Sequence, residues 1–112
     1  MELPNKSKAH IAPNKISDYL LSEYHIVGKS KAKLLRSFGF NETNINQLES
    51  ALIHIAQNNI VNEESKSSFG IKYVIDGILK TPNGIQIKMR TVWIIENNKE
   101  EPRFVTAYPI DL

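Results

Sequence analysis

The hydrophobic residues of this 112-residue sequence change their spacing once, near residue 60, and this change constrains the fold more than any other feature. Before that point, apolar residues recur at the three- and four-residue spacing of a helix. Two short patterns predict helices after Pro13 and around Ala32 to Phe38, the second stopped by Gly39. The clearest pattern predicts a third, longer helix and comprises Ile45, Leu48, Leu52, Ile55 and Ala56.

After residue 60 the spacing becomes two, which is typical of strands with one buried face. Apolar residues alternate from Ile71 to Ile75, and T-P-N-G at 81–84 is typical of a turn. Strands are predicted at 85–95 and 103–108, with a weaker one at 60–64. The sequence therefore predicts an α+β fold. Two to three N-terminal helices precede a three- to four-stranded antiparallel meander sheet, in a single domain of residues 1–112.

The residue types that the chain lacks argue against several functions. It has no cysteine, so disulfides and thiolate metal sites are excluded. Its histidines (His10, His25 and His54) have no metal-ligand spacing, and no glycine-rich phosphate loop is present. No apolar run reaches the roughly 18 residues that a membrane helix needs. We therefore expect no metal or other cofactor, no membrane partner and a cytoplasmic location.

Residues 24–40 hold four basic side chains and no acidic one, although the net charge of the chain is only +2. Lys29 and Lys31 would lie at the start of the second helix, where cations and backbone N–H groups together attract anions. His25 precedes them and is a candidate general base or acid for phosphodiester cleavage. The alternative is that these lysines only solubilise an exposed helix start and that His25 is a loop residue.

The last two strands supply a second candidate group. If they form a hairpin, Thr91, Thr106 and Tyr108 could approach one another, with Phe104, Thr106 and Tyr108 on one face. Their hydroxyls, together with Arg90, could bind a phosphate and stabilise its additional charge. The alternative is that threonine and tyrosine occur here as good strand residues and simply pack.

Several short motifs occur in a specific order: LPN, YLL, H-x-V-G-x-x-K-A, G-F, T-V-W and P-R-x-V-T-A-Y-P. As a set they resemble a small bacterial family known mainly as a domain of unknown function. Its members stand alone or form the C-terminal tips of polymorphic (Rhs-type) toxins. The layout is also similar to the barnase/EndoU/colicin/RelE-like ribonuclease superfold. By matching position, the resemblance implies the catalytic candidates His25, Lys31, Thr106 and Tyr108, with Thr91 of T-V-W beside them.

Two functional hypotheses follow. In the first, the chain is a metal-independent endoribonuclease-like toxin domain, with Lys29, Arg90 and Thr91 binding the RNA. A cognate antitoxin or immunity protein would then be a partner. In the second, the chain is a non-catalytic interaction module of accessory or immunity type that binds a protein or a nucleic acid.

Overall fold

Helices come first and strands last, as the sequence predicts. The computed structural model describes residues 1–21 and 29–110, with the backbone alone for 29–31. A short 3₁₀ turn (Lys6–Lys8) precedes the helices. Helix α1 (Pro13–Lys15) continues directly as a π-helical turn (Ile16–Leu20), and the later helices are α2 (Lys29–Ser37) and α3 (Ile45–Asn58).

The strands form an antiparallel meander in the order β1-β2-β3-β4. The predicted α+β fold with N-terminal helices and a meander sheet is therefore confirmed. The weak strand expected at 60–64 lies slightly later in the chain, and the long strand begins at Gln86 rather than at Ile85. The strands are β1 (Glu63–Lys66), β2 (Gly70–Lys80), β3 (Gln86–Glu96) and β4 (Arg103–Pro109).

The helices cover one face of the sheet, and the core lies between them. Alternate residues of β2 and β3 point into this core. The rings of Trp93 and Phe104 pack edge to face within it, with their centroids 5.4 Å apart. Gly77 allows α3 to approach β2 closely. A Cβ added there would lie 2.7 Å from Asn59 Nδ2 and 2.8 Å from Ile55 Cγ2. The opposite face of β2 and β3 is not covered by any of the described helices, and we call it the open face. It carries Lys72, Asp76, Lys80, Lys88 and Arg90.

A β-bulge in β4 changes which of its side chains point into the core, so the prediction for this strand is partly wrong. The pairing of β3 with β4 shifts between Val92 and Trp93, so that Trp93 lies opposite Phe104 while Val92 lies opposite Thr106. Because one residue is added to β4, side chains after the bulge exchange faces. Phe104 therefore points into the core, and the expectation that it shares a face with Thr106 and Tyr108 is wrong.

Candidate functional site

Arg90 and Asp76 form a cross-strand ion pair on the open face of the sheet. They are direct neighbours in the β2–β3 register. The pair is bidentate, with Arg90 Nε donating to Asp76 Oδ1 at 2.8 Å and Nη2 donating to Oδ2 at 2.9 Å. The hydrogen bond from Arg90 lowers the pKa of Asp76 below its ordinary value, and the nearby charges of Arg90 and Lys88 act in the same direction. Asp76 in turn fixes the plane of the Arg90 guanidinium.

Tyr108 lies on the other side of Arg90. The two residues are direct neighbours in the β3–β4 register, and the Tyr108 hydroxyl is a further hydrogen-bonding group for Arg90. Asp76 and Tyr108 both raise the pKa of Arg90, Asp76 with the larger effect. The Tyr108 side chain is partly exposed. A fixed cation and a solvent-accessible phenol therefore stand side by side on the open face.

Thr106 extends this group towards the N-terminal helices. The hydroxyl of Tyr19 lies 3.1 Å from Thr106 Oγ1. Tyr19 belongs to the π-helical turn, in which Leu21 N donates to Ile16 O at 2.8 Å. Lys15 Nζ lies 5.2 Å from the centre of the Tyr19 ring, within the range of a cation–π contact. Single π-helical turns occur frequently at functional sites.

The open-face cluster, as we call Tyr19, Asp76, Arg90, Thr106 and Tyr108, combines one fixed positive charge with three hydroxyl groups. Such groups can hold a phosphate oxygen and pass a proton to or from a neighbouring oxygen. The structure thus brings together three of the residues predicted from sequence: Arg90, Thr106 and Tyr108.

Thr91 does not join them, because its side chain points into the core. It is fully buried, and its Oγ1 donates to Ile75 O at 2.7 Å and accepts from Trp93 Nε1 at 2.8 Å. Both functions of the hydroxyl are therefore used inside the protein. The predicted approach of Thr91 to Thr106 and Tyr108 is wrong, since neighbouring strand residues point to opposite faces. Binding of substrate by Thr91 does not fit this position.

The structure describes the basic candidate residues only in part or not at all. His25 lies outside the described residues. Lys29 and Lys31 lie in the first turn of α2, but their side chains are outside the description. Helix α2 packs against the π-helical turn that carries Tyr19. The predicted contributions of His25, Lys29 and Lys31 remain predictions.

Sequence reasoning missed Asp76 and Tyr19. A partial signal for Asp76 existed, since T-P-N-G indicated a hairpin between β2 and β3. The register itself is known only from the structure, where the hairpin is centred on Asn83 and residue 76 lies opposite residue 90. Tyr19 fitted the apolar pattern of the first helix, and nothing in the sequence marked Thr106 as the partner of its hydroxyl.

His10 occupies a different place. The N-terminal segment folds back on the start of β4, where His10 N donates to Pro102 O at 3.1 Å and Phe104 N donates to His10 O at 3.0 Å. There His10 borders a cleft of about 340 Å³ with Glu96, Glu101 and Arg103. This is the end of β4 opposite to Tyr108, so His10 stands away from the open-face cluster.

The described residues contain neither a metal-binding cluster nor a membrane-spanning helix. No group of three or more histidine, aspartate or glutamate side chains in residues 1–21 and 29–110 could hold a metal ion. None of the described helices combines the length and hydrophobicity that crossing a bilayer requires.

The fold is similar to that of one chain in a contact-dependent growth inhibition toxin–immunity protein complex from Klebsiella pneumoniae 342. The TM-score is 0.74 at 11% sequence identity, and the match covers 96% of this chain and 97% of that chain. At this identity the likeness is one of fold. None of the curated proteins matches the sequence. A family model described as a domain of unknown function (DUF6883) matches residues 2–111. Because that match spans nearly the whole chain, this protein belongs to the DUF6883 family.

Proposed function

We propose that this domain is a metal-independent endoribonuclease of toxin type. The observation that carries the proposal is the contact of Arg90 with Tyr108 on the open face of the sheet. The fold shared with a chain of a toxin–immunity complex supports it. So do the sequence resemblance to Rhs-type toxin tips and the similarity of the layout to the barnase/EndoU/colicin/RelE-like superfold.

The proposed reaction is attack of an RNA 2′-hydroxyl on the adjacent phosphorus. The bond to the 5′-oxygen breaks, leaving a 2′,3′-cyclic phosphate and a 5′-hydroxyl. It needs a base for the 2′-hydroxyl proton, an acid for the leaving oxygen and a cation for the phosphate. We assign these tasks to His25, Tyr108 and Arg90, respectively. Asp76 uses two of the five Arg90 N–H donors, which leaves donors for Tyr108 and for a phosphate oxygen.

Thr106, Lys29 and Lys31 complete the proposed site. Thr106 and its partner Tyr19 would orient the ribose or phosphate oxygens beside Tyr108. Lys31 would neutralise the scissile phosphate together with Arg90, and Lys29 would hold a neighbouring phosphate. A cognate immunity protein that covers the open face would protect the producing cell, and this is the partner that we propose.

The test is incubation of the purified protein with total RNA in EDTA. We expect cleavage that yields 5′-hydroxyl ends, which polynucleotide kinase labels without prior phosphatase treatment. Arg90→Ala and Lys31→Ala should each lower the rate by at least about 100-fold, as expected for loss of a charge that stabilises the transition state. Tyr108→Phe removes only the hydroxyl and should lower it by about 100-fold.

Matched controls separate the site from general charge effects. Lys33→Ala removes an exposed lysine from the same helix as Lys31, and Lys72→Ala removes one from the open face away from Tyr108. Both controls should cleave at nearly the wild-type rate. Intact RNA with the wild-type protein in every buffer, together with harmless expression in cells, would exclude the ribonuclease.

The second candidate is a non-catalytic interaction module of immunity type. The observation that favours it is the bidentate Asp76 partner, which offsets much of the Arg90 charge that a phosphate would need. This candidate predicts a stable protein partner and no RNA cleavage. Substitutions of Tyr108 and Arg90 would then weaken capture of that partner without changing the melting temperature.

A further inference from the structure

Among the strands that the structure describes, β1 forms one edge of the sheet. It is the first strand in the order β1-β2-β3-β4, and all four of its residues (Glu63–Lys66) are exposed. Ser67 N donates to Gly70 O at 2.9 Å, which fixes the hydrogen-bonded positions of the β1–β2 pairing. Because these positions alternate along an antiparallel pair, Ser65 directs its backbone groups to β2. Glu64 and Lys66 direct theirs outwards, where another strand could meet them.

The charges at these outward positions are self-complementary. Glu64 and Lys66 are two residues apart, so their side chains lie on the same face of the strand. When two copies of β1 meet antiparallel about a twofold axis at Ser65, Glu64 of each copy lies opposite Lys66 of the other. The same register joins their outward N–H and C=O groups in hydrogen-bonded pairs. In the neighbouring symmetric register Glu64 would face Glu64 of the other copy, and like charges directly opposite destabilise a pair.

We propose that β1 binds the β1 of a second copy of this chain, joining two four-stranded sheets into one sheet of eight strands. The interface is isologous, as in most twofold dimers. It places Ser65 beside Ser65 of the second copy and pairs each Glu64 with a Lys66. The proposal stands independently of the ribonuclease assignment, because it uses only the edge of the sheet.

The helices leave room for this pairing. Helix α3 packs mainly against β2. In the joined sheet the two β2 strands are three strand spacings apart, about 14 Å. Packed helices need only about 8–10 Å between their axes, so the two α3 helices do not collide. The strand residues of the open-face cluster lie on β2, β3 and β4, and Tyr19 contacts Thr106 of β4. The cluster therefore stays away from the β1 edge and remains accessible in the dimer.

Disulfide cross-linking tests the register. The described residues contain no cysteine, and the sequence has none, so a single introduced thiol reports on one position. Ser65 of the two copies would form a non-hydrogen-bonded pair with Cα atoms about 4.5 Å apart, within the range that a disulfide spans. We expect Ser65→Cys to form covalent dimers under mild oxidation at least about tenfold faster than Ser67→Cys. The two Ser67 residues would be about 14 Å apart. Equal rates would overturn the proposal.

Reversing the charge of Glu64 or of Lys66 tests the proposed contact between the two β1 strands with more than one variant. Glu64→Lys and Lys66→Glu each turn two attractions into two repulsions. Each should raise the dimer dissociation constant by about tenfold in sedimentation velocity. Mixing the two variants should restore association, because their charges are complementary. Glu63→Lys makes the same charge change on the opposite face and should have little effect. A wild-type chain that stays monomeric at every concentration would overturn the proposal, even if this edge then captured a strand of another protein.

Discussion

Thr91→Val separates a structural role of Thr91 from a role in substrate binding. The Thr91 hydroxyl is fully buried, donating to the Ile75 carbonyl and accepting from the Trp93 indole N–H. Valine keeps the shape of the side chain and removes both hydrogen bonds. The Trp93 N–H then loses this acceptor inside a core that excludes water.

The expected cost follows from those two bonds. A buried donor without an acceptor costs about 1–3 kcal/mol, and the lost hydrogen bond to Ile75 adds about 1 kcal/mol. We therefore expect Thr91→Val to lower the free energy of unfolding by about 2–4 kcal/mol. For a domain of this size, that lowers the melting temperature by roughly 8–16 °C. Typical domains have only about 5–15 kcal/mol of stability in total, so the loss is easily measured.

Urea denaturation of Thr91→Val and Thr91→Ser measures this difference. Serine keeps the hydroxyl and deletes one methyl group, which should cost about 1 kcal/mol. The serine variant should therefore be the more stable of the two, and its activity per folded molecule should equal that of the wild type. A valine variant as stable as the wild type would refute the reasoning. A serine variant that folds normally but loses activity would show that Thr91 does take part in the functional site.

Two further predictions concern the sheet. Gly77→Ala should destabilise the fold by about 1–3 kcal/mol in urea denaturation. The reason is that its Cβ would lie less than 3.0 Å from atoms of Ile55 and Asn59. Unchanged stability would show that α3 can shift away from β2. The pKa of Asp76 is lowered by its hydrogen bond from Arg90, so their pairing stabilises the fold above the ordinary carboxyl value of 3.8. That stability is lost as pH falls through the lowered folded pKa. Asp76→Asn should flatten the stability profile on the acid side of the ordinary carboxyl pKa, and an unchanged slope there would contradict this.

The fold was predictable because local signals agreed with it. The helical spacing from Ile45 to Ala56 and the alternation around T-P-N-G each reflect a single buried face. The strand boundaries were predicted less well. Strand β1 is exposed throughout, so no burial pattern marked Glu63–Lys66. The position of such an edge strand follows from its pairing with β2, a tertiary contact that apolar spacing does not encode.

The site was predictable only in part. Arg90 and Tyr108 were chosen by residue type and strand position, and the register places them side by side. Thr91 was chosen on the same grounds, although its hydroxyl serves the core. Residue type cannot distinguish these cases, because a buried threonine with both bonds satisfied and an exposed one look alike in sequence. The contact of Tyr19 with Thr106 depends on how a helix packs against an edge strand, which local spacing does not encode.

The bulge in β4 connects the core to the open face. Phe104 and Ala107 are both buried, yet they are three residues apart. A regular strand cannot place two such residues on one face, because side chains alternate with a period of two. The additional residue resolves this conflict and moves Tyr108 to the face that carries Arg90. Without it, alternation from Phe104 would turn Tyr108 towards the core. Bulges are common next to active sites, where they redirect a side chain. The same packing requirement that buries Phe104 and Ala107 therefore also sets Tyr108 beside Arg90.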